Sequence, residues 1–206
     1  MSELLLFDFD GVVIDSEKYY TLFWDEIGEE YLGRSEFCAE IKGCTLESIF
    51  ATYFDASAQA AIEERLDRFE AEMPLEYIPG AVDFIKDARK RGCRAAVVTS
   101  SSTKKMNSVY SRLPEITGMF DRIFSSKDFS ESKPSPQCYL MAMSYFGAAP
   151  KNTIVFEDSV KGLMSGKDSG ALLVGLSTTN PAEIVGKYAD YVIEDFTGHR
   201  YDEFLK

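Results

Sequence analysis

Three carboxylates stand within eight residues near the start of the chain. Asp8, Asp10 and Asp15 follow the apolar run Leu4-Leu5-Leu6-Phe7. Side chains at positions i and i+2 of a strand project to the same side, so Asp8 and Asp10 can address one site. Clustered carboxylates repel one another unless a cation lies among them, and their oxygens are the ligands that hard divalent cations prefer. The pattern favours a divalent metal site over the alternative, a solvated strand end that turns at Gly11.

Three later segments also carry residues that could do chemistry. They are Val97-Val98-Thr99-Ser100-Ser101, Ser132-Lys133-Pro134-Ser135-Pro136 and Val155-Phe156-Glu157-Asp158-Ser159. At the end of a strand, the hydroxyl of Thr99 and the backbone N–H of Ser100 can bind an anion beyond the edge of a sheet. Lys133 offers a positive charge, and Glu157 with Asp158 repeats the acidic clustering of the first segment. Each segment alone is also typical of a turn or of exposed surface.

The elements that must position these residues follow from short apolar runs. The runs are Leu4–Phe9, Arg94–Thr99, Arg122–Phe124, Thr153–Phe156, Leu172–Leu176 and Tyr191–Ile193. Most are continuously apolar, as expected of strands that are covered on both faces. The stretches between them carry helical spacing, as in Ala81–Arg91 with Gly92 as its C-cap. Strands that alternate with helices predict an α/β fold with a Rossmann-like parallel sheet as its core.

One region, from Ser16 to about Met73, breaks this alternation and contains only helical patterns. Apolar residues recur at helical intervals in Ser16–Ile27, in Thr45–Phe54 with Thr45 as N-cap, and in Ser57–Met73. The proline- and glycine-containing segment Met73–Gly80 then predicts a linker back to the core. We therefore expect a Rossmann-like core formed by residues 1–14 and 79–206, with residues 15–78 inserted as an all-α helical subdomain.

Length and charge exclude several classes of protein. The 206 residues suit one domain, or one domain with a small insertion, and can bury a sizeable core without disulfides. Lys and Arg total 22 against 34 Asp and Glu, which gives a formal net charge of −12. Such a surface repels the phosphate backbone of nucleic acids and anionic lipid, so we expect neither nucleic acid nor membrane as a partner. A small anionic substrate is still compatible with this charge where cations are concentrated locally.

The cysteines and the N-terminus indicate the compartment. Cys38, Cys44, Cys93 and Cys138 form no CxxC pair and no zinc-type spacing with His199, so we expect buried, reduced thiols. No apolar run approaches the roughly 18 residues of a membrane span, and the N-terminus does not resemble a signal peptide. We expect a soluble, cytoplasmic protein.

Taken in order, the four segments resemble the motifs of the haloacid dehalogenase-like phosphohydrolases. The resemblance covers essentially the whole chain, and the branch it indicates is that of β-phosphoglucomutase and small-molecule phosphatases. It implies a Rossmann-like core, and the inserted helices fall where this branch carries its helical cap. It also implies an Mg²⁺ site formed by Asp8, Asp158 and the backbone carbonyl of Asp10, with Glu157 supporting the metal-binding set.

The resemblance further implies covalent phosphoryl transfer. Asp8 is expected to attack the phosphorus and form an aspartyl-phosphate, while Asp10 acts as general acid and then as general base. Lys133 and the metal would offset the charge of the phosphoryl group, and Thr99 with Ser100 would bind its oxygens. The expected substrate is a small phosphorylated metabolite, such as a sugar or polyol phosphate, and the branch favours a monomer.

Two positions in the expected cap depart from β-phosphoglucomutase. Tyr20 stands where the mutase has a histidine, and Leu46 corresponds to an arginine that would hold a second phosphate. Both departures favour hydrolysis, with a phosphomutase as the alternative. Of the aromatic cluster around Trp24, we expect Tyr20 to face the substrate and the rest to form the core of the cap. A catalytically silent binding protein is a third hypothesis, disfavoured because clustered, unpaired carboxylates serve no structural need.

Overall fold

The structure, a computed structural model, describes residues 3–204. Within that range a single sheet contains six strands in the order β3-β2-β1-β4-β5-β6, and every neighbouring pair is parallel. The strands are β1 (Leu4–Phe7), β2 (Arg94–Val98), β3 (Arg122–Phe124), β4 (Thr153–Glu157), β5 (Leu172–Leu176) and β6 (Tyr191–Ile193). This is the strand order of doubly wound α/β folds, and it confirms the predicted Rossmann-like sheet.

Ten α-helices accompany the sheet in the same part of the chain. They are α1 (Glu17–Leu32), α2 (Phe37–Ile41), α3 (Leu46–Tyr53), α4 (Ala56–Glu72), α5 (Ala81–Lys90), α6 (Thr103–Arg112), α7 (Ile116–Met119), α8 (Gln137–Phe146), α9 (Val160–Asp168) and α10 (Ala182–Val185). Short 3₁₀ helices span Ser126–Asp128, Pro150–Asn152 and Tyr201–Phe204. A search of residues 3–204 finds no helix that combines the length and the apolar character needed to cross a membrane.

Both faces of the sheet are buried, as the continuously apolar runs predict. Leu5 and Phe7 of β1 belong to one apolar cluster, and Leu4 and Leu6 belong to another on the opposite face. β1 ends at Phe7, two residues earlier than predicted, because the chain turns out of the sheet there. The amides of Val13 and Ile14 both donate to the carbonyl of Phe9, at 2.9 and 3.0 Å, which closes this turn.

Helices α1–α4, here called the cap helices, have an apolar cluster of their own. Within it the ring of Phe23 stacks on Phe69 with centroids 4.8 Å apart. Thr45 caps α3 as predicted, its hydroxyl accepting from the amide of Ser48. The short helix α2 lies in a stretch where the sequence predicts no element. Its first residue, Phe37, packs so closely against Gly28 of α1 that a Cβ at Gly28 would lie 2.3 Å from Phe37 Cβ.

The chain enters and leaves the cap helices at neighbouring points. Ile14 and Tyr77 form an antiparallel bridge. Next to it, the amide of Asp15 donates to the carbonyl of Glu76 at 2.8 Å, and the amide of Ile78 donates to the carbonyl of Val13 at 3.0 Å. The two connecting segments therefore run side by side where they join the sheet.

Candidate active site

The segments singled out in the sequence meet at the carboxyl ends of β1 and β4. These two strands are neighbours in the middle of the sheet, and their register places Phe7 opposite Phe156. The amide of Asp8 donates to the carbonyl of Phe156 at 3.0 Å, which sets Asp8 beside Glu157 and Asp158. Strand order reverses between β1 and β4, and in open α/β sheets ligands bind in the crevice at such a switch point.

Asp8, Glu157 and Asp158 form a buried acidic cluster. Each offers a carboxylate oxygen, and these oxygens lie within 4.8 Å of one another. Asp158 Oδ1 is buried without a hydrogen-bond partner, and burial with the surrounding carboxylates raises the pKa of Asp158 well above its ordinary value. The remaining oxygen of that carboxylate accepts from the hydroxyl of Thr179. A buried carboxylate oxygen that lacks a donor fits a cation ligand, so the cluster suits a divalent metal.

Glu157 differs from its two neighbours because protein donors already occupy its oxygens. Its Oε1 accepts from Lys133 Nζ at 2.5 Å and from the hydroxyl of Tyr139 at 2.7 Å. Its Oε2 accepts from the amides of Asp158 and Ser159, at 3.1 and 3.3 Å. With these contacts, Glu157 is better suited to fix Lys133 and the turn between β4 and α9 than to bind a metal directly.

Lys133 faces the acidic cluster from a buried position. Its Nζ lies 3.1 Å from Asp8 Oδ1 in addition to its contact with Glu157, and the residue is 1% exposed. Burial raises the pKa of Asp8 to about 7 even though the ammonium of Lys133 lowers it. Burial also opposes the charge of Lys133, but Asp8 and Glu157 outweigh it and raise the pKa of the lysine. Lys133 therefore carries its charge beside Asp8.

The carboxylate of Asp10 is fixed by three donors. Ser16 Oγ lies 2.5 Å from its Oδ1, and Ser101 Oγ and Lys105 Nζ lie 2.9 and 2.5 Å from its Oδ2. Burial raises the pKa of Asp10, but Lys105 and the two hydroxyls outweigh burial and lower it. The arrangement favours the ionised carboxylate, which is the form that a general base requires.

Thr99 and Ser100 follow β2, next to β1 in the sheet. Thr99 is buried, and its hydroxyl accepts from the amide of Ser101 at 3.0 Å. The hydroxyl of Ser100 donates to the carbonyl of Gly43, in the loop between α2 and α3, at 2.9 Å. Both residues line the same cavity as Asp8, and Ser100 also links the sheet to the cap helices.

A cavity of about 120 Å³ opens between the acidic cluster and the cap helices. Tyr20 lines it, and its hydroxyl donates to Glu70 Oε1 at 2.9 Å. Leu46, the counterpart of the mutase arginine, lines it as well. So does Trp24, although the sequence predicts Trp24 as cap core; its indole is buried and also contributes to the cavity wall.

Sequence reasoning missed two charged pairs in this cavity. Lys105 pairs with Asp10, and Lys42 lies 3.0 Å from Glu17. Lys105 did leave a signal, since the first turn of α6 carries two lysines, where the helix dipole disfavours cations. Glu17 and Lys42 are 25 positions apart in the sequence, and nothing in their spacing links them.

Comparisons with known proteins identify the family of the chain. Residues 5–176 match the sequence profile described as haloacid dehalogenase-like hydrolase. The chain is 27% identical to validoxylamine A 7'-phosphate phosphatase of Streptomyces hygroscopicus subsp. limoneus, over 98% of this chain and 97% of that protein. It is 26% identical to glycerol-1-phosphate phosphohydrolase 1 of Saccharomyces cerevisiae, over 97% of this chain and 84% of that protein.

A solved structure of a point mutant of CbbY from Rhodobacter sphaeroides, in complex with xylulose-(1,5)bisphosphate, superposes with a TM-score of 0.77 and 25% identity, covering 100% of both chains. The profile spans most of the chain, and the fold of the solved structure agrees with it. The chain belongs to the haloacid dehalogenase-like hydrolase family.

Proposed function

We propose that the protein is an Mg²⁺-dependent phosphatase that hydrolyses a small phosphorylated metabolite through an aspartyl-phosphate on Asp8. The observation that carries the proposal is the position of Asp8, which lies 3.1 Å from the buried ammonium of Lys133 and within the acidic cluster. A nucleophilic carboxylate needs positive charge close to both itself and the incoming phosphoryl group, because the two anions otherwise repel each other.

Asp8 attacks the phosphorus and the ester oxygen leaves. Lys133 offsets negative charge on the phosphoryl oxygens, and the hydroxyl of Thr99 with the amide of Ser100 fixes those oxygens. Water then releases phosphate from Asp8, which restores the free carboxylate and completes hydrolysis.

Asp10 serves the two proton transfers. In its ionised form it takes a proton from the attacking water in the second step. In the first step it must hold a proton to give to the leaving oxygen, and a bound phosphate dianion favours that protonation because like charges raise the pKa of a carboxyl group. The three donors around its carboxylate hold Asp10 in one position for both tasks.

The acidic cluster would hold the metal. Asp8, Asp158 and the backbone carbonyl of Asp10 are the proposed ligands, with Glu157 supporting them through Lys133 and the turn after β4. When bound, Mg²⁺ supplies positive charge that lowers the repulsion between the phosphoryl group and Asp8.

The leaving group would occupy the cavity beneath the cap helices, and residues 15–78 would act as a cap that excludes bulk water. The names of two relatives, a validoxylamine A 7'-phosphate phosphatase and a glycerol-1-phosphate phosphohydrolase, support a sugar or polyol phosphate as substrate. We further propose a monomer that works in the cytoplasm, to be checked by sedimentation and by localisation of a tagged chain.

Phosphate release from a panel of phosphorylated metabolites, with and without Mg²⁺, tests the function. Asp8→Asn serves as the blank, because the amide cannot accept the phosphoryl group. A phosphatase releases one phosphate for each ester consumed. Loss of substrate without free phosphate, dependent on a bisphosphate activator, would instead indicate a phosphomutase. No turnover above the blank with any ester would favour the silent binding protein.

A further inference from the structure

One lysine that the proposed chemistry does not use as a reacting group forms part of the cavity wall. Lys105, in the first turn of α6, is only 6% exposed. Its Nζ lies 2.5 Å from Asp10 Oδ2 and 4.3 Å from the centroid of the Tyr20 ring. An ammonium group has three N–H donors, and Asp10 is the one hydrogen-bond acceptor that residues 3–204 give it. Lys105 therefore has donor capacity left for a bound molecule.

The second lysine of the cavity is also paired. Lys42 lies 3.0 Å from Glu17 Oε2, and both side chains are mostly buried. That same Glu17 oxygen is buried and has no well-aligned hydrogen bond in the described part of the chain. Its ion pair with Lys42 balances its charge but leaves its hydrogen-bond capacity unfilled, so Glu17 Oε2 is suited to receive a hydrogen bond from a ligand hydroxyl.

The charges around the cavity do not favour a second anionic group on the substrate. Two lysines line the cavity against five carboxylates, those of Asp8, Asp10, Glu17, Glu70 and Asp158. The charge of each lysine is already balanced by an ion pair, although N–H donors of Lys105 remain free in the described part of the chain. A carboxylate or a second phosphate on the leaving group would have to displace a partner or lie against a like charge.

We propose that Lys105 and Glu17 are specificity-determining residues that select a neutral, hydroxylated leaving group. Lys105 donates to one oxygen of that group, and Glu17 accepts from a hydroxyl. Trp24 and Leu66, which also line the cavity, pack against its carbon atoms. Esters that carry a carboxylate or a second phosphate are rejected. This inference rests on the proposed function, since it concerns the leaving group of the same reaction.

The first test compares kcat/KM of the Mg²⁺-loaded wild-type protein for glycerol 1-phosphate, 2-phosphoglycolate and a sugar bisphosphate. We expect the neutral leaving group to be preferred at least about 10-fold over both others, because a site that hydrogen-bonds hydroxyl groups discriminates strongly. Equal or faster hydrolysis of either anionic ester would overturn the proposal.

The second test unpairs Lys42. Glu17→Gln leaves that lysine without its carboxylate, so the preference for glycerol 1-phosphate over 2-phosphoglycolate should fall by about 10-fold, or roughly 1.4 kcal/mol. Glu26→Gln is the matched control, because Glu26 lies on the same helix and pairs with Arg65 at the surface. The control should leave the preference unchanged. An unchanged preference in Glu17→Gln would contradict the proposed role.

The third test separates contact with the leaving group from a structural role. Lys105→Met should raise KM for glycerol 1-phosphate about 10-fold, while KM for p-nitrophenyl phosphate, whose leaving group has no free hydroxyl, changes less than about 3-fold. Lys105→Arg should recover most of the loss. Equal rises in the two KM values would refute selection by Lys105, whereas a fall in kcat shared by both substrates would report the contact of Lys105 with Asp10. If the methionine variant does not fold, the arginine and Glu17 variants decide.

The outcomes also separate this inference from the proposed function. If no ester releases phosphate above the Asp8→Asn blank, the phosphatase assignment itself fails, and the inference fails with it. If phosphate is released but anionic leaving groups are preferred, the phosphatase assignment stands and the selection by Lys105 and Glu17 is wrong.

Discussion

Lys133 Nζ lies 2.5 Å from Glu157 Oε1, and neither side chain is exposed. Tyr139 donates to the same carboxylate oxygen at 2.7 Å. The lysine that faces Asp8 is therefore fixed from behind by a buried carboxylate, so its position does not depend on a bound substrate. Positive charge held in advance is the arrangement that makes electrostatic stabilisation of a transition state effective.

Removal of the buried lysine should damage both stability and activity. Lys133→Met leaves Glu157 without its cation, and breaking a buried ion pair in this way costs about 3–5 kcal/mol in the free energy of unfolding. Urea denaturation measures the loss, and phosphate release should disappear in any protein that still folds. Lys127→Met, at an exposed lysine, is the control. A loss below about 1 kcal/mol in Lys133→Met would mean that the pair is not fixed as described.

Asp10→Asn should separate catalysis from metal binding. Loss of a general acid and base lowers kcat by about 10²–10⁴-fold, since neither proton transfer is assisted. The backbone carbonyl of Asp10, the proposed metal ligand, is unchanged, so calorimetric titration with Mg²⁺ should give nearly the wild-type affinity. If affinity falls in parallel with kcat, the side chain has a different role.

Gly162→Ala should disturb the site through Glu157. A Cβ at Gly162 would lie 2.0 Å from Glu157 Oε1, so Glu157 or helix α9 must shift. Because Glu157 fixes Lys133, we expect kcat to fall by at least about 10-fold and the unfolding temperature to drop. Gly118→Ala is the matched control in helix α7, since no atom lies within 4 Å of its added Cβ. Wild-type kcat in Gly162→Ala would show that the site tolerates movement of Glu157.

The metal-free protein should lose stability as pH rises through the titration of Asp8. Burial raises the pKa of this carboxyl from 3.8 to about 7 although Lys133 lowers it. The folded state then binds more protons than the unfolded state between these values, so the free energy of unfolding falls with increasing pH. Asp158, whose pKa burial also raises, acts in the same direction.

Asp8→Asn isolates that contribution. Urea unfolding of both metal-free proteins between about pH 4 and pH 7 should give a wild-type midpoint that falls relative to the variant as pH rises. A difference between the two midpoints that stays constant over this range would contradict the raised pKa of Asp8.

The sheet was predictable because strands buried on both faces need continuous apolar runs. Arg122–Phe124, Leu172–Leu176 and Tyr191–Ile193 appear in the structure with the predicted bounds. Errors occur where strands end at the site: the run Leu4–Phe9 forms a strand only to Phe7, and the strand predicted to end at Phe156 continues to Glu157. Apolar character cannot locate those ends, because the residues that follow remain buried after the chain turns.

The side chains of the motifs were easier to predict than those of the cavity. Asp8 and Asp158 come together because each follows a strand that pairs with the other strand. Lys105 meets Asp10 only because the tertiary fold brings the first turn of α6 to the end of β1, and Glu17 meets Lys42 only through the packing of the cap helices. Such pairs depend on tertiary geometry, and periodicity within one segment contains no information about them.

The bridge between Ile14 and Tyr77 has an evolutionary consequence. Because the segments that enter and leave the cap helices are hydrogen-bonded to each other, the helices between them can be exchanged without a change in the spacing or the register of the strands. Under the proposed function, reaction chemistry and substrate choice can then diverge separately, because the proposed reacting groups lie at the edge of the sheet and the exchanged helices would change only the walls around the leaving group.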